Sequence, residues 1–252
     1  MSEDMYPDFP DVEPYNMARS AEEERSHRKR TVARGYQIFA AMRWGMLGDG
    51  HVTARDPEKL DHFWVLNYGV TFANATPEDL VLVGPGGRVT DADGNETGAV
   101  NTAGYNIHAP LYEARPDVMG AAHTHTQYGT PWSANVEPFR ALSQESCGFV
   151  FDQAMFDDEE VEVLSIEGGR RIAAALGQNK LVILRNHGVL TVGRTVESAI
   201  AAFVTAERVA EVHVKAPNGK PISDEAAKIA AHTMQPDHTS WRAFHWIDRS
   251  VG

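Results

Sequence analysis

The chain has 252 residues, of which 42% are apolar and 23% are charged, and this is enough to bury a sizeable core. Aspartate and glutamate number 35 against 23 lysines and arginines, and the net charge of −12 repels nucleic-acid phosphates and anionic lipid headgroups. We therefore expect neither nucleic acid nor a membrane as a partner. The single cysteine, Cys147, excludes an internal disulfide, and the N-terminus lacks the pattern of a secretory signal, so we expect a cytoplasmic protein.

The N-terminal segment differs from the rest of the chain. Residues 1–18 are acidic and rich in proline and aromatic residues without any period, which predicts an arm lying on a surface or on a neighbouring subunit. Residues 19–252 contain no repeat, low-complexity tract or linker. We therefore expect these residues to form one domain.

A helix and several short strands are predicted for the first part of this domain. The sequence SAEE at Ser20 is typical of a helix N-terminus, and glycines from Gly45 onward end the helical pattern. The segments HFWVLN (62–67) and DLVLVGP (79–85) are predicted strands, and GRVTDADGNETG (87–98) contains a DG pair typical of hairpin turns. This pattern predicts antiparallel pairing.

Helices and strands alternate in the second part. Residues 102–115 have helical spacing that ends before Pro116, and DVMGAAHTHT (117–126) is a predicted strand. The helix EGGRRIAAALG, the buried strand KLVILRN and an amphipathic helix capped by Thr195 follow, and two more helices split at Pro236 complete the chain. The alternation predicts an α/β fold.

Three histidines form a candidate metal-binding set. His123 and His125 in HTH are predicted to point to the same side of a strand, about 6 to 7 Å apart. His187 follows the buried strand in RNHG, where the glycine permits a sharp turn. Three imidazoles suit Zn or Mn, with Fe or Co as alternatives, and leave coordination positions open for a substrate. An HxH pair alone is weak support, because such pairs are more often solvated.

Three separated motifs strengthen this prediction. The segments GHVTARDP (50–57), HAPLYEARPDVMGAAHTHT (108–126) and LRNHGVLTVGRTVESA (184–199) resemble the class II aldolase/adducin family over about residues 25–215. The resemblance implies that His123, His125 and His187 bind one divalent ion per chain. It also implies a three-layer α/β/α fold around a mainly antiparallel sheet, and a homotetramer with active sites between subunits.

The chain departs from the sugar-phosphate aldolases of this family. Those enzymes carry two serines and a glutamate, ending four residues before the helix histidine, where this chain has Thr102, Ala103 and Gly104. The glutamate is the family's proton carrier, so Gly104 argues against ordinary aldol cleavage. The asparagine of the family's glycine loop is replaced by His51, which with Ala103 argues against a phosphorylated substrate.

The remaining polar residues predict a pocket for a small unphosphorylated carboxylic acid, and an aromatic hydroxy acid fits this pocket best. His51 and Arg55 are the candidate catalytic residues. The predicted substrate-binding residues are Asn67, Gly69, Thr102, Gly104, Tyr105 and Tyr128. Alternatives stay open: Arg55 could instead pair with Asp56 or Asp61, His108 could be a hydrogen-bonded core residue, and Trp241, His245 and Trp246 could cover the site or pack within their own subunit.

Three functions compete at this point. The first is a metal-dependent carbon–carbon lyase, in the form of a decarboxylase or of a retro-aldolase on a hydroxy-keto acid. The second is a non-haem iron oxygenase, which needs the same three histidines. The third is a noncatalytic adducin-like binding protein, against which the retained histidines argue. We expect the lyase, and the sequence does not specify its substrate, metal or proton donor.

Overall fold

The computed structural model describes residues 9–15, 17–90, 95–159 and 161–251. The described residues form seven α-helices, which are α1 Ala21–Ala41, α2 Thr102–Ala114, α3 Gly129–Ser133, α4 Ile166–Leu176, α5 Val196–Lys215, α6 Asp224–Met234 and α7 Asp237–Ser250. They also form eight β-strands, which are β1 Gly50–Arg55, β2 Phe63–Leu66, β3 Leu80–Val83, β4 Val89–Thr90, β5 Gly120–Thr124, β6 Gln153–Phe156, β7 Leu181–Leu184 and β8 Gly188–Gly193.

All eight strands belong to one sheet, in the order β4-β3-β2-β1-β5-β8-β7-β6. Every neighbouring pair is antiparallel except β6 and β7, which are parallel. The predicted mainly antiparallel sheet is therefore confirmed. The strands β1, β5 and β8 form the centre of the sheet, and they also carry or adjoin the predicted metal-binding histidines.

Each face of the sheet is covered by helices, because successive strand residues point to opposite sides. Ala122 of β5 packs into one core with Phe39 of α1 and Phe203 of α5, whereas the preceding Ala121 packs into a second core with residues of α2 and α4. Ile107 and Ile172 represent those two helices and are almost completely buried. The three-layer α/β/α architecture is confirmed.

Local sequence signals account for the helix boundaries. Ser20 and Glu23 form the reciprocal capping box that the sequence SAEE predicts, and Thr195 caps α5 by accepting a hydrogen bond from the Ser198 backbone. The last two helices are separated at Pro236, as predicted. Three short strands, β1, β6 and β8, were not predicted from the sequence.

Two predictions concern regions that are only partly described. The DG turn at residues 93–94 lies outside the described residues, although Thr90 and Glu96 on its two sides form an antiparallel bridge. Of the predicted arm, Tyr15 lies against α7, with its ring centroid 5.6 Å from that of Trp241. The division into an arm and one domain stays a prediction.

A helix that crosses a membrane must be both long and apolar, and none of the described helices meets both requirements.

Candidate metal centre

Three histidines converge at one end of the central strands. His123 is the fourth residue of β5, His125 follows that strand directly, and His187 lies in the turn between β7 and β8. One nitrogen from each ring lies within 4.8 Å of a nitrogen of the other two. The ring centroids are 4.7 to 5.5 Å apart. Three imidazoles are therefore within reach of one ion.

The turn between β7 and β8 brings His187 to this position. Both Asn186 (φ 55°) and Gly188 (φ 142°) have positive φ, which allows the chain to reverse direction within a few residues. Because β8 pairs with β5, with Leu190 opposite His123, the reversal places His187 beside the end of β5. The glycine in RNHG thus has the role that the sequence predicts.

His123 and His187 have the protonation state that a divalent ion requires. The Nδ1 atom of His123 lies 2.8 Å from the Val189 carbonyl oxygen, to which it donates, so Nε2 remains as a lone-pair donor. Burial, and then the neighbouring His187, lowers the pKa of His123 well below its ordinary value. Burial, and then His125, lowers the pKa of His187 to about 4. Neutral imidazoles in a facial set fit a divalent metal ion.

The third histidine is less enclosed than the other two. The His125 side chain is 40% exposed, and its Nδ1 lies 3.4 Å from the Asp49 carboxylate. The backbone NH of His125 also donates to the Asp49 carbonyl oxygen at 3.3 Å. Asp49 was not predicted as part of the site. The sequence feature that could have identified it is its place directly before the GHVTARDP motif.

A fourth imidazole lies beside this set. His51 of β1 pairs directly with His123 of β5, and their ring centroids are 5.1 Å apart. Its Nδ1 atom lies 2.6 Å from Nε2 of His108, which is completely buried on α2. Burial, and then the neighbouring His108, lowers the pKa of His51 well below its ordinary value. The structure therefore brings the predicted His51 to the three histidines as a neutral imidazole.

Behind His51, a chain of hydrogen bonds continues into the core. Thr53 Oγ1 lies 2.6 Å from His108 Nδ1 and 2.9 Å from the Tyr112 hydroxyl. If Tyr112 donates to Thr53 and Thr53 donates to His108, then His108 Nε2 donates to His51 Nδ1. The proton of His51 is then on Nε2. His108, for which the sequence analysis kept open the role of a hydrogen-bonded core residue, is a buried, hydrogen-bonded neighbour of His51. Thr53 and Tyr112 were not predicted.

Gly104 makes room for the His51 ring. A Cβ atom at this position would lie 2.9 Å from His51 Cδ2 and 3.2 Å from His51 Cγ. The position where sugar-phosphate aldolases carry glutamate is therefore in van der Waals contact with the imidazole of His51. Gly104 and His51 are both departures from the family pattern, and the glycine leaves the space that the His51 ring occupies.

Arg55 lies away from the histidines, which corrects its predicted place in the site. It is four residues beyond His51 on β1, about 13 Å along a strand. Its guanidinium is buried and donates to the carbonyl oxygens of Val118, Leu60, Tyr112 and Arg115 at 2.6 to 3.0 Å. Through these bonds, Arg55 connects β1 to the segment that precedes β5. Among the described residues, Arg55 forms no ion pair with Asp56 or Asp61, which was the alternative prediction.

Several predicted substrate-binding residues lie near the same end of the sheet. Continuation of the β1–β2 register places Asn67 level with His51, and Gly69 follows in the adjoining loop. However, the Asn67 side chain accepts a hydrogen bond from Ala99 N, and the Tyr105 hydroxyl accepts one from Gly86 N. These polar groups are engaged in loop structure. Thr102 begins α2 and is exposed, two residues before Gly104.

Tyr128 is directed toward α5. The Lys215 ammonium nitrogen lies 5.2 Å from the centroid of the Tyr128 ring. The ring also packs against the core on this face of the sheet. Within this subunit, the side chain therefore contacts the helix layer, and its role in substrate binding stays a prediction.

Two cavities in the described chain lie elsewhere. A cavity of about 620 Å³, lined by Lys180 and Asp237 among others, adjoins Gly193 at the far end of β8. A second, of about 430 Å³, is lined by Trp241 and His245. Since Gly193 pairs with Gly120, at the opposite end of β5 from His123, both cavities lie away from the histidines of this subunit. Trp241 is buried within the subunit, whereas Trp246 is 67% exposed.

Comparison with known proteins identifies the family of this chain. The sequence profile described as "Class II Aldolase and Adducin N-terminal domain" matches residues 30–214. The chain is 34% identical over 226 residues to 4-hydroxy-3-prenylphenylpyruvate oxygenase/4-hydroxy-3-prenylbenzoate synthase of Streptomyces roseochromogenus subsp. oscitans, covering 88% of this chain and 80% of that protein. It is also 34% identical to Decarboxylase NovR of Streptomyces niveus, covering 88% and 83%.

A solved structure shows the same fold. L-fuculose 1-phosphate aldolase from Glaciozyma antarctica PI12 superposes with a TM-score of 0.85 at 33% identity, covering 95% of this chain and 93% of that one. The chain belongs to the class II aldolase and adducin family. It is an enzyme of the lyase class.

Proposed function

We propose that this chain is a divalent-metal-dependent carbon–carbon lyase acting on an unphosphorylated aromatic hydroxy acid, and that the reaction is a decarboxylation. The observation that carries the proposal is the cluster of His123, His125 and His187 with His51 beside it. The similarity to a decarboxylase supports the reaction type. The metal-binding residues are the three histidines, and an ion bound there would stabilise negative charge on a substrate oxygen.

His51 is the residue that donates the proton in this reaction. Its Nδ1 is held by His108, and its Nε2 carries a hydrogen when the Thr53 and Tyr112 hydroxyls donate toward His108. As the bond from the ring carbon to the carboxylate breaks, CO₂ leaves and the electron pair stays on that carbon. His51 Nε2 then supplies the proton that replaces CO₂, and one proton taken up from solvent at the open side of the site restores Nε2 for the next turnover.

The absence of a glutamate at position 104 favours this reaction over aldol cleavage. Gly104 provides no carboxyl group to carry a proton, and the space beside it is filled by the His51 ring. A neutral imidazole also tolerates a negatively charged substrate better than a carboxylate would. A retro-aldolase acting on a hydroxy-keto acid would use the same residues.

A second candidate is an iron-dependent oxygenase, which is favoured by the similarity to a protein whose name includes an oxygenase activity. An iron ion held by three histidines would retain open coordination positions. The two candidates differ in their need for oxygen.

Product analysis with and without oxygen separates these candidates. We would load the stripped protein with Mn²⁺, Zn²⁺ or Fe²⁺ and measure CO₂ release from a panel of hydroxylated aromatic acids. Release that is equal in anaerobic and aerobic samples supports the decarboxylase. Release that requires both iron and oxygen supports the oxygenase, and no turnover with any metal across the panel contradicts the proposed substrate class.

A further inference from the structure

The segment that leaves β5 after His125 is held by a buried carboxylate on another element. Glu207 lies on α5 and is 5% exposed. Its Oε2 accepts from Thr126 Oγ1 at 2.6 Å and from Gly129 N at 2.7 Å, and its Oε1 accepts from Tyr128 N at 2.9 Å. One side chain thus bonds three donors within four residues.

Glycine at position 129 permits this close approach. A Cβ atom there would lie 2.8 Å from Thr126 Oγ1 and 3.0 Å from Glu207 Oε2. The loop is closed further by Thr130 Oγ1, which accepts from Thr126 N at 3.0 Å. Residues 126–130 therefore have a fixed path from the end of β5 into α3.

Glu207 is costly to bury, which points to a role beyond packing. Burial raises its pKa, although the hydrogen bond from Thr126 and the backbone NH groups of Gly129 and Tyr128 oppose this rise. No cation pairs with this carboxylate among the described residues. A buried acid satisfied entirely by the loop after a metal-binding histidine serves to fix that loop.

Among the three histidines, His125 depends most on this loop. His123 lies within the sheet and is bonded to Val189, whereas His125 lies past the end of β5 with a half-exposed side chain. Its contacts with Asp49 come from one side, and the covalent neighbour Thr126 holds it from the other.

We infer that Glu207 is a positioning residue for the metal centre: through Thr126, Tyr128 and Gly129 it fixes the backbone that presents His125. This inference rests on the proposed metal site. Glu207 contacts neither the ion nor the substrate, and its effect is on how tightly and in what geometry the three imidazoles hold an ion.

The test compares Glu207→Gln with Glu197→Gln in the full-length protein. Both glutamates are buried on α5, but Glu197 lies in the first turn of the helix and pairs with His27. Glutamine at position 207 would direct an NH₂ group at one of the loop donors. We expect about a 10- to 100-fold weaker affinity for Mn²⁺ and Zn²⁺ in Glu207→Gln, as is typical when outer contacts of metal ligands are lost. The Glu197 variant should bind as the wild type does.

Two further measurements keep the result interpretable. Thr126→Val removes one donor with little change of shape and should also weaken metal affinity, by a smaller factor than Glu207→Gln.

The visible spectrum of the Co²⁺-loaded protein should change for Glu207→Gln and remain the same for Glu197→Gln. Destabilisation alone would lower the melting temperature of both variants without changing the spectrum. Wild-type affinity and spectrum in both position-207 and position-126 variants would overturn the inference, whereas a wild-type protein that binds no metal would overturn the proposed site itself.

Discussion

At the scale of single residues, a substitution of His51 tests the catalytic step separately from metal binding. It lies beside the three histidines but is bonded to His108 instead of belonging to the set. We predict that His51→Asn retains metal affinity within about threefold but lowers the rate of CO₂ release by about 100-fold, the range expected for loss of a proton donor. The exposed His232 provides the control, since His232→Asn should change neither quantity.

The result would contradict this role if the His51→Asn protein released CO₂ at the wild-type rate. A loss of metal affinity as large as the loss of rate would instead make His51 a fourth ligand.

Gly104 gives a second prediction at this scale. In Gly104→Ala the new Cβ would lie 2.9 Å from His51 Cδ2, so the imidazole must shift. We expect kcat to fall about 10-fold or more with metal affinity unchanged, as measured by turnover and metal titration. The adjacent substitution Ala103→Ser, on the same helix, should have a smaller effect on kcat. Equal kcat in Gly104→Ala and wild type would mean that the position of His51 does not matter.

The sequence identified the residues of the candidate metal centre better than those around it. An HTH pair and an NHG turn constrain where imidazoles can point, because a strand and a tight turn each have a defined geometry. Arg55 and Tyr128 could not be placed in this way. Their long side chains reach the Val118 carbonyl and α5 respectively, and those contacts come from segments far apart in the chain.

At the scale of secondary structure elements, Asp56 links α1 to the start of the sheet. Its carboxylate accepts from Arg25, from the Trp64 indole and from the backbone NH groups of Glu58 and Lys59 at 2.8 to 3.2 Å. Burial raises the pKa of Asp56, but these hydrogen bonds outweigh burial and hold the pKa well below its ordinary value.

Because the folded-state pKa is depressed, the stabilisation from Asp56 is present above the ordinary pKa of 3.8 and is lost as the pH falls below it. We predict that Asp56→Asn lowers the free energy of unfolding at pH 7 by about 2 kcal/mol, since buried donors lose a charged acceptor. Urea titrations of both proteins from pH 7 to pH 3 should show this difference shrinking in acid. Asp61→Asn, which alters a largely exposed carboxylate in the same loop, should cost much less at every pH. A difference that grows in acid would contradict the assignment.

Helices were predicted from the sequence more completely than strands. The capping residues Ser20 and Thr195 are local signals, and they locate the beginnings of α1 and α5. The strands β6 and β8 are four and six residues long. β6 pairs with β7, which lies on the other side of α4 in the chain, and β8 pairs with the adjacent β7 and with the distant β5. The sequence also predicts both histidines of HTH on one strand, whereas β5 ends at Thr124, and the path of His125 depends on Glu207 and Asp49.

At the scale of the whole molecule, the assembly stays a prediction from the family resemblance. Met46 and Leu47 are 81% and 91% exposed, in the loop that leads to Asp49 beside His125. Large apolar side chains exposed together near a site are typical of a protein contact. We predict a tetramer in solution, with four times the 27.7 kDa mass of the chain.

Sedimentation equilibrium or light scattering measures this mass. The double substitution Met46→Ser and Leu47→Ser should shift the distribution toward smaller species, because apolar area at the contact is lost. A wild-type mass of 27.7 kDa at every concentration would contradict the prediction.

Metal titration shows whether the three histidines bind an ion. We would strip the purified protein with a chelator, titrate it with Mn²⁺ and Zn²⁺, and compare it with His123→Ala and with the exposed-site control His232→Asn. The geometry of the three histidines predicts about one ion per chain in the wild type and the control, and loss of that ion in His123→Ala. Binding that is absent from the wild type, or undiminished in His123→Ala, would contradict it.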